Sequence, residues 1–256
     1  MSSFNNALKN IKLRYLAIFI VVTYLILSLL ANFTHMRGTN FLYVIVICYF
    51  IFVLRGNSQS LKSDIRDIFN QIELKHILLI VFLNICLSYG MLYLSGAIKD
   101  YFHFLDYLVN FSVPSMSLVN YLPKIWGFFG TVVISPICEE LVFRGVLLNK
   151  LKLYVPTVFA IFGSSLFFGA LHSFGGMISA VIFAICMAIL YIKTENICVP
   201  IFAHFLNNLF AEIIRLVDVN NVLFTNNLVM GIVSVLAAIS AILLIVTIIN
   251  ELNKVK

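Results

Sequence analysis

Apolar residues follow one another along this chain in long runs, without the alternation that marks a surface facing water on one side. A helix crosses a bilayer with about 20 mainly apolar residues, within a range near 17 to 25. Stretches of this kind lie at 15–33, 38–54, 77–98, 125–149, 153–171, 173–192, 196–216 and 228–249. The first three contain no Asp, Glu, Lys or Arg, whereas 125–149 is interrupted by Glu139, Glu140 and Arg144. The pattern predicts an all-α protein, a polytopic transmembrane bundle of about eight helices.

Lys and Arg accumulate on the cytoplasmic side of membrane proteins. Lys9, Lys12, Arg14, Arg55, Lys62, Arg66, Lys75, Lys150, Lys152, Lys193, Lys254 and Lys256 fall on one side of the eight-helix arrangement. Only Arg37, Lys99, Lys124 and Arg215 fall on the other. Both termini are therefore expected in the cytoplasm. Two segments do not span. Residues 58–76 carry Leu61, Ile65, Ile68, Phe69 and Ile72 at helical spacing among charges, as either an interfacial helix or a solvated loop helix. Residues 100–121 are aromatic-rich with little charge and suit the outer interface.

Composition agrees with a lipid environment. Hydrophobic residues make up 62% and charged residues 11%, against roughly 45 to 50% and about 25% in soluble domains. The formal charge of +6 does not indicate nucleic acid, because the cations punctuate apolar runs instead of sharing one solvated face. No Pro/Gly/Ser-rich linker divides the chain, so 1–256 reads as one integral membrane domain. The basic N-terminus before residue 15 superficially resembles a signal peptide, but the apolar run is too long and no small-x-small cleavage site follows. It is expected to remain as a membrane helix. Cys48, Cys86, Cys138, Cys186 and Cys198 show no paired spacing. Cys138 adjoins the charged motif, but a thiol in apolar surroundings stays protonated and is usually inert.

The chemistry lies inside the helices. A charge near the bilayer centre costs about 2.5 to 3.5 kcal/mol, so Glu139, Glu140 and Arg144 must face a protein interior or a water cavity. Residues four apart share a helical face, which pairs Glu140 with Arg144. Glu139, pointing about 100° away, has no charge partner on its own helix and is the better general base. Ser135-Pro136 reads either as a helix N-cap with proline at the first position or as a proline kink in a longer helix. The rival to catalysis is an ion-pair network that only locks helices together. His204 and Asn208, also four apart, form a polar stripe that fits interhelical hydrogen bonding as well as a reaction site. At ~1.5 Å of rise per residue, Glu139, Asn208 and His204 lie roughly 15, 18 and 12 Å from the cytoplasmic helix ends, and His172 roughly 28 Å. His172 stands too high, a gap from which helix tilt or an earlier or later start of its helix would recover several ångströms. His35, His76 and His103 fall in loops or at helix ends, and Glu212 with Arg215 reads as a structural pair.

Glu139-Glu140-x-x-x-Arg144, Phe168-x-x-x-His172 and His204-x-x-x-Asn208, in this order, resemble the three motifs of the CAAX protease and bacteriocin-processing family (CPBP, or Abi). The resemblance covers roughly 120–216, with 1–119 as accessory N-terminal helices and 217–256 as a C-terminal helix. It implies that Glu139, assisted by His172, activates water, that His204 and Asn208 stabilise the oxyanion, and that Glu140 and Arg144 support them. The implied protein is a multi-pass intramembrane endopeptidase of a cell membrane. Its substrate would be a membrane-associated peptide or a lipidated, prenylated protein. A high ratio of Lys to Arg, with abundant Ile and Asn, fits a bacterial gene. The machinery is complete without a cofactor. Zinc held by Glu139, His172 and His204 is the alternative, although the chain has no His-Glu-x-x-His. The competing function is non-proteolytic: a bacteriocin self-immunity factor, a regulatory scaffold or a transporter.

Overall fold

The computed structural model describes residues 2–34, 39–101 and 124–254. The expectation for 100–121 lies almost wholly outside the described residues, as do His35 and His103. Among the described residues all regular structure is helical. The chain is a multi-pass membrane protein, and among the described residues five helices are long and apolar enough to span a bilayer.

Helix α1 (Ser3–Asn10) precedes α2 (Leu13–Thr34) and α3 (Thr39–Leu54), which continues through a tight turn at Arg55–Asn57 into α4 (Ser58–Arg66) and α5 (Ile68–Gln71). The long α6 (Leu74–Tyr101) follows. Residues 124–151 then form one uninterrupted helical path: α7 (Lys124–Phe129), a π turn (Gly130–Ile134), α8 (Ser135–Glu140), a second π segment (Leu141–Leu148) and α9 (Asn149–Leu151). The hairpin α10 (Thr157–Ala170) and α11 (Phe174–Thr194) leads to α12 (Cys198–Val217), α13 (Val222–Thr225) and α14 (Asn227–Lys254).

All eight apolar stretches thus carry helix, but not all are simple spans. The stretch at 153–171 shortens to α10, whose 14 residues reach only about 21 Å, less than the ~30 Å hydrocarbon core. The cause is Pro156, which holds an extended backbone at the N-cap and disfavours helix in the residue before it. Helix α12 has the length but carries His204, Asn207, Asn208, Glu212 and Arg215. Residues 124–151 are broken up by their two π segments and their charges.

Helix α11 is the central post. In its window 61% of residues are buried, against 28% or less in the other four spans. Phe183 to Tyr191 are buried without interruption, which is the all-round apolarity expected of a core helix. Helix α6 packs against α14, α11 and α12, while α3 packs on α8 and the first π turn. The apolar side chains left exposed on α2 and α14, such as Leu25, Leu29, Ile242 and Ile245, belong to the surface that faces lipid.

A buried polar network closes the end of the bundle that holds α1. The Asn5 amide donates to Asp64 Oδ2 (2.9 Å), and its carbonyl accepts from the Ile197 N–H (3.0 Å). Asn196 donates to the Asp64 carbonyl (2.8 Å) and to Gln71 Oε1 (2.9 Å), and accepts from the Cys198 N–H. These side chains satisfy backbone donors that the start of α12 would otherwise leave unpaired. Helix α4 buries Asp64 in this network, while Ile65 and Phe69 form an exposed apolar edge. That edge suits an interfacial helix more than a solvated loop.

Gly90 marks the closest approach of α6 and α14, where any Cβ would overlap that of Ala237. Gly90→Val is expected to destabilise the bundle by about 1 to 3 kcal/mol. Gly96→Val, on the same helix with open space around it, should leave the unfolding midpoint in detergent nearly unchanged. Equal midpoints for the two variants would show that α14 does not pack this way.

Candidate active site

The carboxylates lie on α8, between the two π segments. Pro136 has no N–H to give to the carbonyl four residues back, so a regular α-turn cannot continue through it. The helix widens instead, and the Ser135 N–H donates to the carbonyl of Gly130, five residues back. Ser135-Pro136 is therefore an irregularity within a longer helix and not an N-cap. Such π turns accommodate one extra residue and re-aim the side chains that follow. On the other side of α8, the Asn149 amide donates to the carbonyls of Arg144 and Gly145 and to the Tyr191 hydroxyl, at 2.9 to 3.1 Å.

Glu140 and Arg144 pair as the spacing predicts, Arg144 Nη1 donating to Glu140 Oε1 at 3.0 Å. Both are buried, at 0% and 1% exposure. Arg144 also donates to the Ala184 carbonyl on α11 (3.0 Å), and its guanidinium lies 4.7 Å from the Phe168 ring centre. One side chain thereby ties 124–151 to α10 and α11.

His204 meets the same carboxylate from α12. Its Nδ1 lies 2.8 Å from Glu140 Oε1. A carboxylate paired with arginine only accepts, so Nδ1 is assigned the hydrogen and Nε2 becomes the ring atom that faces the rest of the site. That atom lies 3.9 Å from Glu139 Oε2. Oε1 of Glu139 is held on its other side, accepting from Ser135 Oγ–H on its own helix and from Tyr43 Oη–H on α3 at 3.0 Å. Aromatic rings enclose the imidazole, with Phe183 at 5.3 Å and Phe168 at 5.9 Å between ring centres.

His172 and Asn208 sit at the edges of this cluster. Helix α10 begins at Thr157, four residues later than residue 153, which lowers His172 by about 6 Å. Its exposed ring lies tilted against Phe168 with 4.7 Å between ring centres, and Nδ1 contacts the Phe168 carbonyl at 3.0 Å. No hydrogen bond joins it to Glu139 or His204 among the described residues. Asn208 stands one turn beyond His204 and donates to the Thr131 carbonyl at 2.9 Å, within the first π turn. This bond uses one of its two amide hydrogens. A relay from Asn84 through Asn207 reaches its carbonyl at 2.9 and 3.2 Å.

Residues 121–210 match the family model described as type II CAAX prenyl endopeptidase Rce1-like. This match agrees with the resemblance of the segment to the CPBP family. Over 92 residues the chain is 35% identical to the Bacillus subtilis (strain 168) protein named "Putative membrane peptidase YdiL". That match covers 36% of this chain and only 38% of the relative's length. No solved structure matches the chain.

The three motifs therefore come together in part: Glu139, Glu140, Arg144 and His204 form one connected cluster, and Phe168 links it to His172. Among the described residues no three His, Cys, Asp or Glu side chains gather as a metal-ligand set. Cys138 is buried within the apolar core. Glu212 and Arg215 pair at 2.6 Å, as their spacing suggests. Sequence reasoning missed Tyr43, Thr131, Asn149 and Tyr191. A tyrosine in an apolar span reads as an ordinary interfacial residue, and an acceptor that is a backbone carbonyl has no sequence signature.

Arg144→Met removes the cation and leaves a buried carboxylate. The expected loss of stability is about 3 to 5 kcal/mol, read as a lowered unfolding midpoint in detergent. Glu140→Gln added to Arg144→Met should recover part of it, because the uncompensated charge is then gone. A single variant as stable as the parent would contradict this account of the pair.

Proposed function

We propose that the chain is a CAAX-type intramembrane endopeptidase that hydrolyses a peptide bond in a membrane-associated peptide or a lipidated protein. The observation that carries this reading is the 3.9 Å separation of Glu139 Oε2 and His204 Nε2 inside an aromatic enclosure. Two such atoms are too far apart for a direct hydrogen bond, yet one water can contact both at about 2.8 Å. Glu139 removes a proton from that water as its oxygen attacks the scissile carbonyl carbon. The same proton then passes to the leaving amine when the tetrahedral intermediate breaks.

His204 Nε2, when protonated, and the second amide hydrogen of Asn208 donate to the developing oxyanion. Glu140 holds the His204 ring by Nδ1, and Arg144 holds Glu140. His172 acts from the rim, where the commitment of Nδ1 to the Phe168 carbonyl turns Nε2 toward water or substrate. No step in this scheme requires a metal. The Rce1-like match supports the reaction class, and the "membrane peptidase" in the name of the Bacillus relative supports a membrane setting for it.

The test uses protein reconstituted in nanodiscs and a quenched fluorescent peptide ending in a farnesylated CAAX sequence, with its unprenylated counterpart and an unprenylated transmembrane peptide alongside. Glu139→Gln is expected to lower turnover about 10²- to 10⁴-fold while expression and folding persist. Asn208→Ala should cost about 10²- to 10³-fold. Cleavage by the wild-type protein should survive a zinc chelator. Undiminished cleavage by Glu139→Gln, or loss of wild-type cleavage in chelator with recovery on added zinc, would sink this mechanism. Intact cellular function in Glu139→Gln would favour an immunity factor, scaffold or transporter.

A further inference from the structure

A general base works only if its reactive oxygen is aimed, and Glu139 has several rotatable bonds in which to lose that aim. Its two oxygens are not equivalent here. Oε1 accepts two hydroxyl hydrogens, from Ser135 and Tyr43, whereas Oε2 faces His204 Nε2 at 3.9 Å. Ser135 lies four residues before Glu139 on the same helix, so its bond fixes the side chain only relative to its own backbone. Tyr43 comes from α3, which packs against α8, and its hydroxyl reaches the carboxylate from a second direction. Two donors converging on one oxygen determine where the other must point.

We infer that Tyr43 is a positioning residue for Glu139, and that α3 thereby completes a reaction centre whose remaining members lie on the 121–210 segment. The inference rests on the proposed role of Glu139 as base. Tyr43 stands outside residues 121–210, so the N-terminal helices contribute to the site and do more than anchor it. The phenol suits the task because it is a rigid donor. Its ring packs with the apolar helix, and only the hydroxyl reaches the carboxylate. Tyr43 acts through Glu139 and makes no contact with the reacting bond.

Tyr43→Phe removes the donor and keeps the ring. Tyr49→Phe is the control, since Tyr49 lies on the same helix and stacks on Phe19 at 4.8 Å, away from the carboxylates. With the farnesylated peptide in nanodiscs, Tyr43→Phe is expected to lower kcat roughly 10- to 100-fold, the range for losing one hydrogen bond to a charged group. KM and the unfolding midpoint should stay near the parent values. Because Ser135 and Tyr43 back each other up on one oxygen, the double variant Tyr43→Phe/Ser135→Ala should lose more than the product of the single losses. An unchanged kcat in Tyr43→Phe, or a loss carried by KM alone, overturns the inference. A second measurement needs no substrate: the carboxylate infrared band of Glu139, isolated as wild type minus Glu139→Gln. This band should shift in Tyr43→Phe and not in Tyr49→Phe, and an unmoved band overturns the inference. A shifted band in a protein that cleaves none of the peptides supports the Tyr43 contact and rejects the proteolytic reading, so the two failures are distinguishable.

Discussion

The buried contact between Glu140 and Arg144 is the constraint around which the rest of the bundle is arranged. Neither charge is tolerable alone in a hydrocarbon-like interior, and together they still leave donors and acceptors to satisfy. The protein meets most of these needs with groups from three other helices, although Glu140 Oε2 has no hydrogen-bond partner among the described residues. The Ala184 carbonyl comes from α11, the face of Phe168 from α10 and Nδ1 of His204 from α12. Every one of these contacts fixes a helix that also carries, or adjoins, a motif residue. The ion pair therefore does more than neutralise itself. It sets the orientation of the imidazole that Glu139 faces.

Irregular helix geometry has a matching role. A straight α-helix through residues 124–151 would be incompatible with Pro136, and the π turn before it resolves that conflict while widening the helix next to the carboxylates. Carbonyls of both π segments are put to use. Thr131 accepts from Asn208, and the carbonyls of Arg144 and Gly145 accept from Asn149. In a bilayer, where water is scarce, non-ideal backbone persists only when side chains satisfy it. The hydrogen bonds that compensate the π segments are thus the same ones that bring α11 and α12 against the site.

The N-terminal helices enter the same economy of polar groups. Helix α1 supplies Asn5 to the start of α12, α4 supplies the Asp64 carbonyl to Asn196, and α3 supplies Tyr43 to Glu139. Lys150 Nζ donates to the Lys9 carbonyl at 2.6 Å, which joins α1 to the end of the motif helix. In each contact a residue from the first 70 positions satisfies a polar group on the 121–210 segment, or the reverse.

The long apolar runs determined the all-helical, membrane-embedded class of this protein, because hydrocarbon admits few alternatives to helix. Spacing alone also determined the pairing of Glu140 with Arg144 and of Glu212 with Arg215, since both are local contacts within one helix. The three motifs were legible as a set, but their mutual geometry was not. The late start of α10 at Pro156, the committed Nδ1 of His172, the turn of Asn208 toward Thr131 and the arrival of Tyr43 from α3 each depend on how separate helices are placed side by side. A sequence records periodicity within a helix. Only the tertiary structure decides which carbonyl, ring or hydroxyl from another helix lies opposite a given polar group, because that depends on rotation, depth and tilt, which no local pattern encodes.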